Sequence, residues 1–146
     1  MRQIAAIITC GLLLGACMSG KQLPADIQRL DGALRSQLPE GTQPLDTYVR
    51  YYARIQFTTE DDLPFTTIAD PGIPAGERPL IIGVLVQPGI WEDRRSGAYM
   101  VDHDHLPFAV HGGCSAVNVA YDAAAKKIVG LWCNVGDELP QGWQGY

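Results

Sequence analysis

The three histidines of this chain fall within nine positions, and they are the residues best suited to chemistry. Two imidazoles alternate with two carboxylates in Asp102-His103-Asp104-His105, and His111 follows six positions later. Imidazole and carboxylate groups are ligands that zinc takes in proteins, and an imidazole can also act as a base near neutral pH. In an extended segment His103 and His105 project on the same side, and a turn can return His111 to them. The pattern predicts a zinc site, or a metal-dependent hydrolytic site, at His103, His105 and His111.

The same segment also fits a polar surface turn. Asp102 and Asp104 can cap a turn through hydrogen bonds from backbone amides. The chain lacks the His-Glu-x-x-His helix that fixes two zinc ligands and a base together, and it lacks a Gly-x-Ser-x-Gly elbow. We therefore predict no catalytic residue, and the leading hypothesis is a non-enzymatic binding or structural domain.

A third hypothesis is a carrier of a small apolar ligand. It requires a cavity beneath a sheet, and four aromatic side chains are candidates to line one. They are Tyr48, Tyr51, Tyr52 and Phe57.

The first sixteen residues have the pattern of a secretory signal peptide. Arg2 provides a positive charge, and positions 4–14 form an uncharged apolar run that is too short to span a bilayer. The segment Leu14-Gly15-Ala16-Cys17 that closes the run resembles the lipobox of bacterial lipoproteins. That resemblance implies cleavage before Cys17 and attachment of diacylglycerol to its thiol. Several acyl chains, palmitate among them, would hold the protein permanently on a membrane.

The lipoprotein resemblance implies a position in the cell envelope, on the periplasmic face of a membrane. Met18 follows the lipidated cysteine, where Asp would retain an enterobacterial lipoprotein at the inner membrane, so the outer membrane is favoured. The net charge of −5 argues against a nucleic-acid partner. The expected partners are the membrane, through the lipid, and an envelope protein or the cell wall. Tyr48 to Ala53, followed by a strand and a cysteine-bearing hairpin, is similar to small alphaproteobacterial lipoproteins, a likeness that transfers no functional residue.

Cys114 and Cys133 are the thiols left after cleavage and lipidation, and an oxidising compartment favours a disulfide between them. Each adjoins a β-rich stretch, which predicts a hairpin. A two-residue loop at positions 123–124 sets the cysteines directly opposite each other. A longer loop over positions 123–126 places them on a diagonal and requires a bulge. A redox-active pair is disfavoured because the chain has no Cys-x-x-Cys motif.

The elements that must position these groups begin with an amphipathic helix from Pro24 to just before Pro39. A second, short helix is predicted after Pro44, and alternation from Ala53 onward predicts a strand. Prolines and glycines between Thr59 and Pro79 predict a long loop.

The apolar run at positions 80–86 predicts a central strand buried on both faces, and positions 97–102 predict another short strand. The expected class is α+β: one or two N-terminal helices packed on a four- to five-stranded, mainly antiparallel sheet with a C-terminal disulfide-linked hairpin. We expect a signal peptide over residues 1–16, a lipidated tether over 17–23 and a single globular domain over 24–146.

Overall fold

The computed structural model describes residues 22–59, 73, 76–108 and 112–134. Within these ranges the chain forms one α-helix, a five-stranded sheet and three short 3-10 turns. The helix α1 spans Ala25–Gln37. The strands are β1 (Val49–Phe57), β2 (Arg78–Val86), β3 (Gly97–Met100), β4 (Ala116–Asp122) and β5 (Lys127–Cys133), and the turns span Leu45–Thr47, His103–His105 and Gly113–Ser115.

The strand order is β3-β1-β2-β4-β5, so β3 and β5 form the two edges. Strand β1 pairs parallel with β3, and every other neighbouring pair is antiparallel. The expected α+β class is confirmed, but the sheet is mixed. Three of the four neighbouring pairs fit the expected mainly antiparallel sheet, and the pair of β1 with β3 departs from it. In sequence, β2 lies between β1 and β3 and runs antiparallel to β1. The chain therefore returns through β2 before β3 begins, and no helical crossover is needed.

Helix α1 agrees with its prediction, because Pro24 precedes it and it ends two residues before Pro39. Its apolar stripe of Ile27, Leu30 and Leu34 is fully buried. The stripe packs on one face of the sheet. It forms a cluster with Leu45, Tyr48, Tyr52, Ile81, Leu85, Val117, Val119 and Tyr121.

The predicted second helix is wrong. Only the turn Leu45–Thr47 follows Pro44, and β1 already begins at Val49. Tyr48 and Tyr52 therefore share a face because alternate residues of an extended chain point the same way, not because they lie one helical turn apart. Because the first five residues of β1 are buried on both faces, large side chains occupy consecutive positions, and such a run also contains the three- and four-residue spacings of a helix.

The sheet face opposite α1 is covered by loops. Ile73, Ile90, Trp91 and Leu106, which lie between the strands in sequence, contact the apolar cluster on this face. The cluster contains Val49, Tyr51, Ala53, Phe57, Leu80, Ile82, Val84, Val86, Ala116 and Ala120. Strand β2 has both faces buried, as predicted for positions 80–86.

The hairpin of β4 and β5 carries the predicted disulfide between Cys114 and Cys133, with Cα atoms 4.6 Å apart. A four-residue turn joins the strands, and the register shifts between Ala120 and Tyr121. Cys133 consequently lies opposite Val117, not opposite Cys114. The longer-loop alternative with a bulge is the correct one, and the turn Gly113–Ser115 returns Cys114 to its partner.

Several predicted features lie outside the described residues. They are the signal peptide, the lipidated Cys17, most of the tether, His111 and most of the long loop before β2. Among the described residues no helix is long and apolar enough to cross a membrane.

Candidate binding surface at the edge of strand β3

Among the described residues, no strand pairs with the outer side of β3. The amide of Gly97 donates to the carbonyl of Tyr48 at 3.2 Å, and the amide of Val101 donates to the carbonyl of Tyr52 at 3.0 Å. In a parallel ladder, alternate residues direct their N–H and C=O groups toward the partner strand. Ala98 and Met100, the residues between, therefore direct theirs away from β1. Such an edge is a template for a further strand.

A groove of about 580 Å³ runs beside this edge on the side of α1. Gln22, Leu23 and Pro24 line one wall, and Ala98 and Met100 lie on the other. The side chain of Met100 is 38% exposed, which is high for a large apolar residue. The free backbone groups thus adjoin an apolar strip.

On the opposite face of the sheet, a guanidinium lies over two tyrosines. Tyr51 and Tyr99 are register partners on β1 and β3, with ring centroids 6.1 Å apart. The Arg94 Cζ atom lies 5.4 Å from the first centroid and 5.0 Å from the second, and its Nε donates to the Glu92 carboxylate. These contacts, with cation–π attraction of about 0.5–2 kcal/mol, hold Arg94 in the segment just before β3.

Burial raises the pKa of the Tyr51 hydroxyl, and the Glu92 carboxylate adds to this effect. The same hydroxyl has no hydrogen-bond partner among the described residues. Tyr51 is therefore held as a neutral, packed side chain beneath Arg94 and not as a reactive phenolate.

The histidine-rich segment follows β3 directly and forms a 3-10 turn, not the extended segment of the prediction. In a 3-10 turn successive side chains rotate by about 120°, so residues two apart point in different directions. His103 borders a groove with Arg54 and Met100, while His105 borders another with Glu92 and Arg94. The two imidazoles thus border different grooves among the described residues.

The turn instead brings His105 together with two carboxylates. Ligand atoms of Asp102, Asp104 and His105 lie within 4.8 Å of one another, and all three residues are exposed. The Nδ1 atom of His105 is 2.9 Å from the Asp104 carboxylate. The arrangement could hold a divalent cation through two oxygens and one nitrogen.

An ion pair between Asp31 and Arg50 lies between α1 and the sheet. The Asp31 carboxylate accepts a 2.5 Å hydrogen bond from the Tyr52 hydroxyl and lies 3.1 Å from Nη2 of Arg50. Arg50 also donates to the Leu45 carbonyl at 3.0 Å. Burial, reinforced by Asp31, raises the pKa of Tyr52 well above its ordinary value. These groups join the helix to the sheet and are shielded from solvent, which favours a structural role.

The four aromatic residues considered for an apolar ligand are all buried, but on two faces. Tyr48 and Tyr52 pack under α1, whereas Tyr51 and Phe57 pack under the loops. The sheet separates the two pairs, so they line no common cavity.

The sequence hypotheses did not include Arg94 or the pair of Asp31 and Arg50. In the sequence Arg94 stands five residues before Tyr99, and this spacing indicates no contact until β3 is known to lie beside β1. Comparison with protein-family models, with curated proteins and with solved structures finds no match to this chain.

Proposed function

We propose that the protein is a cell-envelope lipoprotein whose folded domain binds a partner through the outer edge of β3. The observation that carries this proposal is the set of outward backbone groups of Ala98 and Met100 beside an apolar groove. Such an edge recognises another polypeptide through main-chain hydrogen bonds. The role is binding or structural, and no catalytic residue is assigned.

The anchor in this proposal is Cys17, acylated after removal of the signal peptide. Gln22, five residues later, lines the groove next to β3. Five residues span at most about 18 Å when extended. The lipid would therefore hold the β3 edge close to the membrane surface, most simply at the periplasmic face of the outer membrane.

Metabolic labelling with a palmitate analogue tests the anchor. The intact chain should incorporate the label and fractionate with membranes, whereas Cys17→Ala should lose the label and remain unprocessed. Incorporation that persists in the Cys17→Ala chain would show that the proposed site is wrong.

A photo-crosslinking amino acid at position 100 tests the binding surface in living cells. We expect an adduct of defined mass from this position. The matched control places the same group at Lys127, which is exposed at the start of the opposite edge strand. Adducts that are absent from position 100, or identical at both positions, would contradict the proposal.

The second candidate function is zinc binding, favoured by the convergence of Asp102, Asp104 and His105. Metal content should then fall in His105→Ala and stay unchanged in His103→Ala, because His103 borders a different groove. Equal loss in both variants would favour the set of His103, His105 and His111 expected from sequence. A protein purified without chelator that contains no zinc would exclude both sets.

A further inference from the structure

We propose that the partner at the β3 edge is a second copy of this chain, with the two β3 strands paired antiparallel about a two-fold axis at Tyr99. The inference rests on the proposed function, since it names the occupant of that edge. Three independent features of the edge favour a copy of the chain over an unrelated strand.

The first feature is the register that the outward groups allow. In an antiparallel pair, opposite residues exchange two hydrogen bonds when their backbone groups face each other. Ala98 of one copy can exchange both bonds with Met100 of the other, and the reverse pair follows by symmetry. Tyr99 then meets its own copy at the axis. The small Ala98 side chain leaves room for the exposed Met100 of the second copy on the α1 side of the sheet.

The second feature is the charge at the two ends of β3. Arg94 is already paired with Glu92, but the exposed Arg95 also precedes the strand and the exposed Asp102 follows it. Antiparallel pairing about Tyr99 places Arg95 of each strand beside Asp102 of the other. Parallel pairing would place like charges together, which is unfavourable. The charges at the β3 edge are thus complementary to those of a second copy when the two strands pair antiparallel.

The third feature is the position of the N-terminal segment. A continuous sheet across a two-fold axis keeps both α1 helices on the same face. Gln22 lines the groove on that face in each copy, so the two Gln22 residues lie on the same side of the paired sheet. Two lipid anchors, each five residues before a Gln22, would lie on one side of the pair, and attachment to one membrane raises its effective concentration.

The test uses the full processed chain in a neutral, density-matched detergent, with its mass measured by sedimentation equilibrium. We expect twice the mass of one chain. Met100→Pro removes the outward amide and no bond to β1, so it should weaken association by at least about tenfold. Met100→Leu keeps the amide and serves as the matched control. Circular dichroism checks that both variants remain folded.

Charge exchange provides a second test that leaves the backbone intact. Arg95→Asp and Asp102→Arg should each weaken association, and the double exchange should restore it. A monomeric wild-type chain would overturn the inference, and so would a dimer indifferent to all of these changes. A position-100 adduct with a different protein, from a chain that is itself monomeric, would overturn self-pairing while supporting the proposed function.

Discussion

Tyr52 lies directly across from Gly83 in the pairing of β1 with β2, and its ring occupies the space that a side chain at position 83 would need. A Cβ atom on Gly83 would lie 2.7 Å from Cε1 of Tyr52 and 2.6 Å from Cγ1 of Val119. Both distances are too short for carbon atoms in contact. Glycine in the middle of a buried strand therefore lets the tyrosine ring lie against the backbone beneath α1.

Replacement of Gly83 with Ala should destabilise the fold by about 1–3 kcal/mol, because the ring and the neighbouring valine must both shift. Gly32 is the matched control. It lies inside α1 with nothing within 4 Å of an added Cβ, so Gly32→Ala should stabilise by about 0.5–1 kcal/mol. Urea unfolding measures both changes, and equal effects of the two substitutions would contradict the packing argument.

Removal of the Asp31 carboxylate should lower the free energy of unfolding by more than is usual for a partly exposed residue. The Arg50 side chain is only 8% exposed, and Asp31→Ala leaves its charge without a counter-ion. We expect a loss of about 3–5 kcal/mol in the free energy of unfolding. The double variant Asp31→Leu with Arg50→Met should recover most of that loss, and the single variants Asp31→Leu and Arg50→Met complete the cycle. Strictly additive single effects in this cycle would show that the two residues are not coupled.

Stability should fall in alkaline solution because the pKa of Tyr52 is raised in the folded protein. A raised pKa means that the contribution is fully present below the unfolded value of about 10 and is lost as the pH rises toward the folded value. Tyr52→Phe should flatten this decline while lowering stability at neutral pH through the lost hydrogen bond. Tyr48 and Tyr51 also have raised pKa values, so the flattening is partial. Denaturation curves at neutral pH and above pH 10 measure both effects.

The disulfide should contribute about 3 kcal/mol, as the chain-entropy model gives for a loop closed by cysteines 19 residues apart. The double variant Cys114→Ser with Cys133→Ser removes the bond without leaving a free thiol in the hairpin. Reduction of the unmodified protein should lower the denaturation midpoint by a matching amount. An unchanged midpoint in both experiments would contradict a stabilising role.

The sequence was most informative where one face of an element is buried or where a run is wholly apolar. Helix α1 and strand β2 were predicted for these reasons, and the hairpin was predicted from the two β-rich stretches beside Cys114 and Cys133. The start of β1 was mistaken for a helix because residues Tyr48 to Tyr52 are buried on both faces. Local spacing cannot distinguish that pattern from a helical stripe.

The candidate surface depends on contacts that no local pattern contains. The parallel pairing of β1 with β3 brings together segments about fifty residues apart, and the position of Arg94 over Tyr51 follows from it. The histidine segment was recognised by composition. Its grouping with carboxylates depends on the 3-10 turn, which alternation of polar residues does not encode.

The two arginines of β1 also restrict how that strand can pair. Arg50 and Arg54 share the face toward α1, where Asp31 and Asp26 meet them at 3.1 and 2.6 Å. A slip by one residue would reverse the strand and direct both guanidinium groups into the apolar cluster around Ile82. Because an unpaired charge is costly in such surroundings, the two ion pairs disfavour a one-residue shift in the register of β1. They make the misaligned sheet less favourable even where they add little to the stability of the correct one.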